Sequence, residues 1–191
     1  MLTLFFVPGT SSMAPHIMLH ELGLDFESRP LTWNDAKTPA YLALNLEGKV
    51  PTLLADGKAL TEVAAILYYL ARRHPGAGLL PEGDPLLEAE VVSWMSFIAS
   101  TLHPNSRLAN EITRRLYGVA DRRLGENSWA IGRYSIADIH LFRLYWRNRS
   151  RMKAEPGQFP SLERHYARMM ERPAVKRTIE IESAIGYELP A

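Results

Sequence analysis

The chain contains no cysteine. This absence excludes disulfide bonds, thiolate metal sites and a protein thiol acting as a nucleophile. Whatever reaction the protein carries out, its own side chains cannot form a mixed disulfide with a thiol substrate.

Long apolar runs and an excess of charge of either sign are also missing. The 191 residues include 22 basic and 21 acidic side chains, for a net charge of +1, which gives no reason to expect a nucleic acid or a membrane as partner. No apolar run reaches the roughly 18 residues of a membrane span. The opening residues 1–6 lack a basic leader and a cleavage site, and are typical of a strand rather than a signal peptide. We expect a cytoplasmic protein of one large or two small domains.

The most informative segment begins at Gly48-Lys49. Pro51 opens an apolar run, and because proline has no N–H, it fits the first position of a strand or a cis turn. A cis Val50-Pro51 bond would turn the N–H and C=O of Val50 outward, where an extended peptide-like ligand could pair with them by strand addition. The segment therefore predicts a peptide-binding edge.

A turn and a helix start follow at once. Asp56-Gly57 between apolar residues is typical of a type I′ hairpin turn. Thr61 is predicted to cap the next helix, which would place the N–H groups of Glu62 and Val63 at a positive helix end suited to a carboxylate. The pattern predicts an anion pocket beside the peptide-binding edge.

Hydrophobic periodicity divides the chain into a mixed first part and a helical second part. The first part follows the order βαβαββα, with predicted strands at 2–6, 26–31, 52–55 and 58–60 and predicted helices at 12–22, 38–44 and 63–73. The stretch 74–84 contains two prolines and three glycines, a composition typical of a linker. We therefore predict a first domain over 1–75, a linker over 76–84 and an all-helical domain over 85–191. Its predicted helices span 85–102, 104–124, 135–149, 161–172 and 173–184.

One helix start in the second part has a clear local signature. Ser135 as cap, with Asp138 three residues later, predicts a capping box. We expect its role to be structural.

Several segments resemble the glutathione S-transferase family, in an order that runs along most of the chain. They are the segment 48–67 around Pro51, the loop and first helix at 8–17, the helix at 96–103, the capping element at 132–138 and the closing helices at 160–175. The loop at 8–17 and the helix at 96–103 are most similar to the bacterial beta-class enzymes. The resemblance implies a thioredoxin-like α/β first domain, an all-α second domain, and glutathione as co-substrate without a metal.

The resemblance also implies that a thiol-activating residue lies between the first strand and the first helix. Ser11 stands where the beta-class pattern has cysteine, and Thr10 precedes it. Lowering a thiol pKa from ~8.5 to ~6.5 requires about 2.7 kcal/mol. A hydrogen bond to a charged group supplies ~1.5–3 kcal/mol, and a helix N-terminus about 0.3–1 kcal/mol more. Ser11 is the favoured thiolate donor because it aligns with the cysteine, and Thr10 is the second candidate; the alternative interpretation is that both residues only cap the helix.

Further positions match the glutathione contacts of the family. Glu62 would accept the γ-glutamyl ammonium, although its charge could simply favour the helix start. The N–H of Val63 would hold the γ-glutamyl carboxylate, but Val63 lacks the hydroxyl of the serine that is common there. This loss of ~1.5–3 kcal/mol weakens affinity roughly ten- to hundred-fold. Lys37 and Lys49 are candidates for the glycyl carboxylate, although lysines in loops are usually only solvated.

Ser100 and His103 match beta-class residues that face the thiol across the domain cleft. Their spacing of three predicts that both lie on one helix face. A histidine, with a pKa near ~6.5, could bond the sulfur or relay a proton; the alternative is a half-buried structural histidine. Ser96 and Pro104 depart from the pattern, which has asparagine and lysine there.

The resemblance implies a homodimer that adds the glutathione thiolate to a small hydrophobic electrophile, a reaction used in detoxification. Two other functions stay open. One is a glutathione-dependent disulfide reductase or peroxidase, in which both thiols come from glutathione. The other is a non-catalytic interaction module that keeps only the fold.

Overall fold

The computed structural model describes residues 1–106 and 110–186. Residues 107–109 of the predicted helix 104–124 and residues 187–191 of the predicted second domain lie outside the described residues.

The first part of the chain forms a four-stranded mixed sheet with the order β2-β1-β3-β4. Its strands are β1 (Leu2–Phe6), β2 (Phe26–Pro30), β3 (Thr52–Ala55) and β4 (Lys58–Thr61). β1 pairs in parallel with β2 and antiparallel with β3, which pairs antiparallel with β4. The accompanying helices are α1 (Met13–Glu21), α2 (Pro39–Leu42) and α3 (Val63–Arg73). The predicted order βαβαββα is confirmed.

The apolar run of β1 is explained by its central place in the sheet. Leu4 and Phe6 are completely buried, and Thr3 and Phe5 are nearly so. A strand that is covered on both faces has no need of alternating polar residues. The loop after Phe6 therefore starts from a buried strand at the centre of the sheet.

Among the described residues, the regular elements of the second part of the chain are all helices. The helices are α4 (Pro85–Phe97), α5 (His103–Asn105), α6 (Asn110–Leu124), α7 (Ile136–Asn148) and α8 (Pro160–Glu171), followed by α9 (Pro173–Ile185). α7 is buried almost all round, which is the position of a central helix.

The described chain forms two compact units. The first contains residues 1–70 together with α9, and the second contains residues 71–172. In the first unit α9 packs against α1. The division at 76–84 into two sequence-continuous domains stays a prediction.

The helix between α4 and α5 differs from the prediction of a break after residue 102. A π-helical turn over Ile98–Leu102 joins the two helices. Pro104 has no N–H to bond the carbonyl of Ser100, and its ring would clash with that carbonyl in a regular α-helix. The hydroxyl of Ser100 also donates to the Ser96 carbonyl at 2.7 Å, a contact that tends to bend helices. The helix therefore continues past residue 102 through one wider, π-helical turn instead of ending there.

The capping box at Ser135 is confirmed, with Ser135 as the N-cap of α7 and both reciprocal hydrogen bonds formed. In the described part of the chain, no helix is both long and apolar enough to cross a bilayer.

Candidate functional site

The predicted peptide-binding edge has the expected backbone. The Val50-Pro51 peptide bond is cis, and Pro51 immediately precedes β3. Val50 is 7% exposed, and its carbonyl accepts a hydrogen bond from the Ser11 hydroxyl at 2.9 Å. The edge and the first loop, 39 residues apart in the chain, thus meet at one hydrogen bond.

A buried polar network, which the sequence analysis missed, holds the loop that leads into the cis bond. The Tyr41 hydroxyl donates to the Lys49 carbonyl at 2.6 Å, and the Asn45 amide donates to the same carbonyl at 2.9 Å. The Thr52 hydroxyl lies 2.8 Å from the Tyr41 oxygen. Burial raises the pKa of Tyr41, so the phenol remains a donor. The spacing of Tyr41 and Asn45, four residues apart beside the short α2, was the available signal.

The hydroxyls of the first loop have different roles. The Thr10 oxygen lies 2.7 Å from both the Val7 carbonyl and the Ser12 hydroxyl, and it accepts from the Ser12 N–H at 3.4 Å. Ser12 is the N-cap of α1, yet its side chain makes no capping hydrogen bond; its hydroxyl instead donates to the Val7 carbonyl at 3.0 Å. Thr10 and Ser12 thus brace the loop, whereas Ser11 bonds the cis-proline segment.

A buried carboxylate fixes the start of this loop, and the sequence analysis did not find it. One oxygen of Glu182, on α9, accepts from the Gly9 N–H at 2.7 Å. Its other oxygen lies 2.9 Å from Nδ1 of His16, and both side chains are completely buried. The pair ties the residue before Thr10 to α9. A separation of 173 residues along the chain left no local signal.

His20 extends the same cluster along α1. Its ring stacks on the His16 ring with centroids 5.0 Å apart. Burial, with smaller contributions from His16 and Arg177, lowers the pKa of His20 to about 4. His20 is therefore uncharged near pH 7. The described residues contain no group of three or more His, Cys, Asp or Glu side chains that could hold a metal ion.

The helix start after β4 differs from the prediction. Thr61 is the last residue of β4, where it pairs with Thr52, so the prediction that it caps α3 is wrong. The sheet register extends the strand by one residue and takes Thr61 into the ladder. Glu62 occupies the cap position instead: its carbonyl accepts the first helical hydrogen bond from the Ile66 N–H at 3.0 Å.

Glu62 adopts a backbone conformation that side chains rarely take, with φ of 69°. Such a conformation costs about 1–3 kcal/mol in a residue other than glycine, and it is concentrated at ligand-binding sites. Its exposed side chain stands before the buried Val63. The strain motivates the hypothesis that Glu62 contacts a ligand.

Glu62→Gly tests this interpretation with two readouts. We expect the free energy of unfolding to change little or to rise by up to ~1 kcal/mol, because relief of ~1–2 kcal/mol is offset by ~0.5–1 kcal/mol of glycine entropy. Affinity for glutathione should fall roughly ten- to hundred-fold, because a charge-assisted hydrogen bond is lost. Thermal unfolding and calorimetric titration measure the two effects.

Asp56→Gly is the matched control, because Asp56 also has a positive φ, of 49°. It lies in the hairpin turn, where its ion pair with the N-terminus is largely exposed and contributes little. An unchanged glutathione affinity in Glu62→Gly would remove the ligand role of Glu62.

The two candidate lysines already have partners within the loop that precedes the cis bond. Nζ of Lys37 donates to the Gly48 carbonyl at 3.0 Å. Nζ of Lys49 pairs with Glu47 at 2.7 Å, and the hydrogen bond and charge of Glu47 raise the pKa of Lys49. Lys37 therefore closes the loop, and a ligand carboxylate at Lys49 would have to compete with Glu47.

Ser100 and His103 belong to the second unit. Ser100 is exposed within the π-helical turn, so the predicted α-helical spacing to His103 does not apply there. His103, partly exposed, is the first residue of α5. In the same unit, burial lowers the pKa of His140 to about 3, with further contributions from Arg143 and His103.

Two family models match the chain. The glutathione S-transferase N-terminal domain matches residues 11–73, and the glutathione S-transferase C-terminal domain matches residues 99–173. The first match includes Ser11, the cis-proline segment and Glu62. The second begins just before Ser100 and ends at the first residue of α9.

Individual relatives match over most of their length. Glutathione S-transferase GST-4.5 of Xanthomonas campestris is 30% identical, over 94% of this chain and 98% of its own. Maleylacetoacetate isomerase of Pseudomonas aeruginosa is 32% identical, over 70% of this chain and 74% of its own. A sphingomonad glutathione S-transferase, solved in complex with glutathione, superimposes with a TM-score of 0.85 at 32% identity. The match covers 95% of this chain and 98% of the sphingomonad chain. The predicted fold, with a thioredoxin-like sheet and a helical part, is confirmed. The chain belongs to the glutathione S-transferase family.

Proposed function

We propose that the protein binds glutathione at the edge formed by Val50 and Pro51 and joins the glutathione thiolate, through a new carbon–sulfur bond, to a small hydrophobic electrophile. The observation that carries this proposal is the hydrogen bond from Ser11 to the Val50 carbonyl. It brings the candidate thiolate donor next to the backbone that would pair with the cysteinyl unit of the tripeptide. A donor within reach of the bound thiol is the geometric requirement for lowering its pKa.

Ser11 is the proposed thiolate donor, in preference to Thr10, because the Thr10 hydroxyl is engaged in bracing the loop. The carboxylate of Glu62 would accept the γ-glutamyl ammonium, and the Val63 N–H, at the start of α3, would bind the γ-glutamyl carboxylate. Lys37 and Lys49 are proposed for the glycyl end. Ser100 and His103 would assist from the helical part.

Two relatives bear on the choice of function. The sphingomonad structure is a complex with glutathione, which supports glutathione as the co-substrate. The similarity to a maleylacetoacetate isomerase favours a second candidate function, in which the thiolate adds reversibly to a conjugated double bond and leaves again after rotation. Transfer consumes glutathione, whereas isomerisation does not.

Titration and product analysis test the proposal. We expect reduced glutathione to bind with a Kd below about 1 mM, which corresponds to a binding free energy of about −4.1 kcal/mol, despite the absence of a hydroxyl at Val63. Chromatography coupled to mass spectrometry, applied to reactions with an aryl halide, a small disulfide and a conjugated unsaturated diacid, then separates transferase, reductase and isomerase, because the isomerised diacid keeps its mass but changes its retention. Absence of binding up to tens of millimolar would contradict all three enzymes and favour the non-catalytic module.

We further propose a cytoplasmic homodimer without nucleic acid or membrane as partner. The family and the near-neutral charge support this, and a twofold dimer is the commonest closed assembly. Sedimentation measures the oligomeric state.

A further inference from the structure

The Ser11 hydroxyl donates to the same carbonyl that a peptide ligand would use. Its hydrogen bond to the Val50 carbonyl is 2.9 Å long. A serine hydroxyl has one proton to donate. While that proton bonds Val50, it cannot stabilise a thiolate.

The neighbouring hydroxyls cannot take over this task without loosening the loop. Thr10 and Ser12 lie 2.7 Å apart, and both are within hydrogen-bonding distance of the Val7 carbonyl. These contacts hold both hydroxyls against the Val7 carbonyl. Ser11, in contrast, makes its single side-chain hydrogen bond within the described residues to Val50.

We propose that glutathione itself releases the Ser11 donor. In the free protein, Ser11 donates to the Val50 carbonyl. When the cysteinyl N–H of the ligand pairs with that carbonyl, the Ser11 hydroxyl rotates away and donates to the sulfur, whose proton passes to solvent water. This inference rests on the proposed function and adds an order of events to it: recognition of the peptide N–H precedes stabilisation of the thiolate.

The exchange has a consequence for specificity. A thiol without a correctly placed N–H cannot displace Ser11 from Val50, so its pKa stays near its free value. The protein then selects a cysteinyl amide over simple thiols through activation rather than affinity. Ser11 acts as a catalytic residue in this scheme and Val50 as its positioning partner.

Ser11→Ala gives opposite effects on affinity and on thiol activation. Its affinity for S-methylglutathione, which keeps the N–H but has no thiol, should equal that of the wild type or exceed it by up to roughly ten-fold, because no hydroxyl has to be displaced. The thiol pKa of bound glutathione, followed by the ultraviolet absorbance of the thiolate, should rise by about one to two units. Ser28→Ala is the matched control, since Ser28 is exposed on the edge strand β2 and should change neither value.

A second measurement needs no variant. In a glutathione analogue, an ester oxygen replaces the cysteinyl N–H. We expect the wild-type protein to lower the thiol pKa of glutathione but not that of this bound analogue. An equal lowering for both ligands would overturn the exchange.

The remaining outcomes separate the inference from the proposed function. Ser11→Ala could bind both glutathione and S-methylglutathione more weakly by a similar factor and leave the thiol pKa unchanged. That result would overturn the exchange, whereas the proposal that the protein binds glutathione would stand. Failure of the wild type to bind either ligand would overturn both.

Discussion

Glu182→Ala is expected to lower the free energy of unfolding by about 3–5 kcal/mol, because it removes one partner of a completely buried pair. The substitution leaves the Gly9 N–H and Nδ1 of His16 without the carboxylate that bonds them. For a chain of this size the melting temperature should fall by roughly 6–20 °C. Thermal unfolding followed by circular dichroism measures the change.

The same substitution should also weaken catalysis beyond its effect on stability. Gly9 directly precedes Thr10 and Ser11, so the loop that carries the proposed donor loses its attachment to α9. We expect a lower kcat at a temperature where the variant is still folded. Glu180→Ala is the control on the same helix, because Glu180 is exposed and pairs with Arg177 at the surface; it should stay within about 0.5 kcal/mol of the wild type. A similarly small loss in Glu182→Ala would show that the buried pair does not hold the loop.

Asp138→Ala is expected to destabilise the second unit by about 3–5 kcal/mol, well above the ~0.5–2 kcal/mol of an ordinary helix cap. The completely buried carboxylate accepts from the N–H and hydroxyl of Ser135 and from the Ala130 N–H at 2.7 Å. It also lies 3.0 Å from Nε2 of the buried His165. Removal therefore leaves several buried donors unpaired, each of which costs about 1–3 kcal/mol.

Asp84→Ala separates burial from capping. Asp84 caps α4 by accepting from the Leu86 and Leu87 N–H groups at 3.1 Å, in an exposed position. Its loss should cost only ~0.5–2 kcal/mol, measured by denaturant unfolding of both variants. Equal losses at the two positions would mean that His165 and Ala130 add nothing to the cap.

Local chemistry predicted much of the first unit. Proline at position 51 fits the start of a strand, and the bond before it is cis as the pattern allowed. The alternation of strands and helices followed from hydrophobic periodicity. The failures were also local in kind. Thr61 is a good cap by residue type, but it pairs with Thr52 and is therefore the last residue of β4. The helix that was predicted to end at residue 102 instead continues through a π-helical turn into Pro104.

The candidate site was predicted as a set of residues without an arrangement. The Val50-Pro51 edge was predicted from the chemistry of proline, whereas Ser11 and Glu62 were chosen because they match positions of the glutathione S-transferase family. The sequence favoured Ser11 over Thr10 only through its alignment with the beta-class cysteine. The hydrogen bonds add a physical difference, since Thr10 braces the loop and Ser11 reaches Val50.

The sequence by itself determined the fold class, the order of the elements and the capping box at Ser135, because these depend on residues within a few positions of one another. Tertiary structure alone decided which distant groups meet. Glu182 binds Gly9 and His16, and His165 joins Asp138, only because helices far apart in the chain pack together. Such contacts leave no periodic pattern in the sequence, since each depends on one side chain reaching one buried polar group.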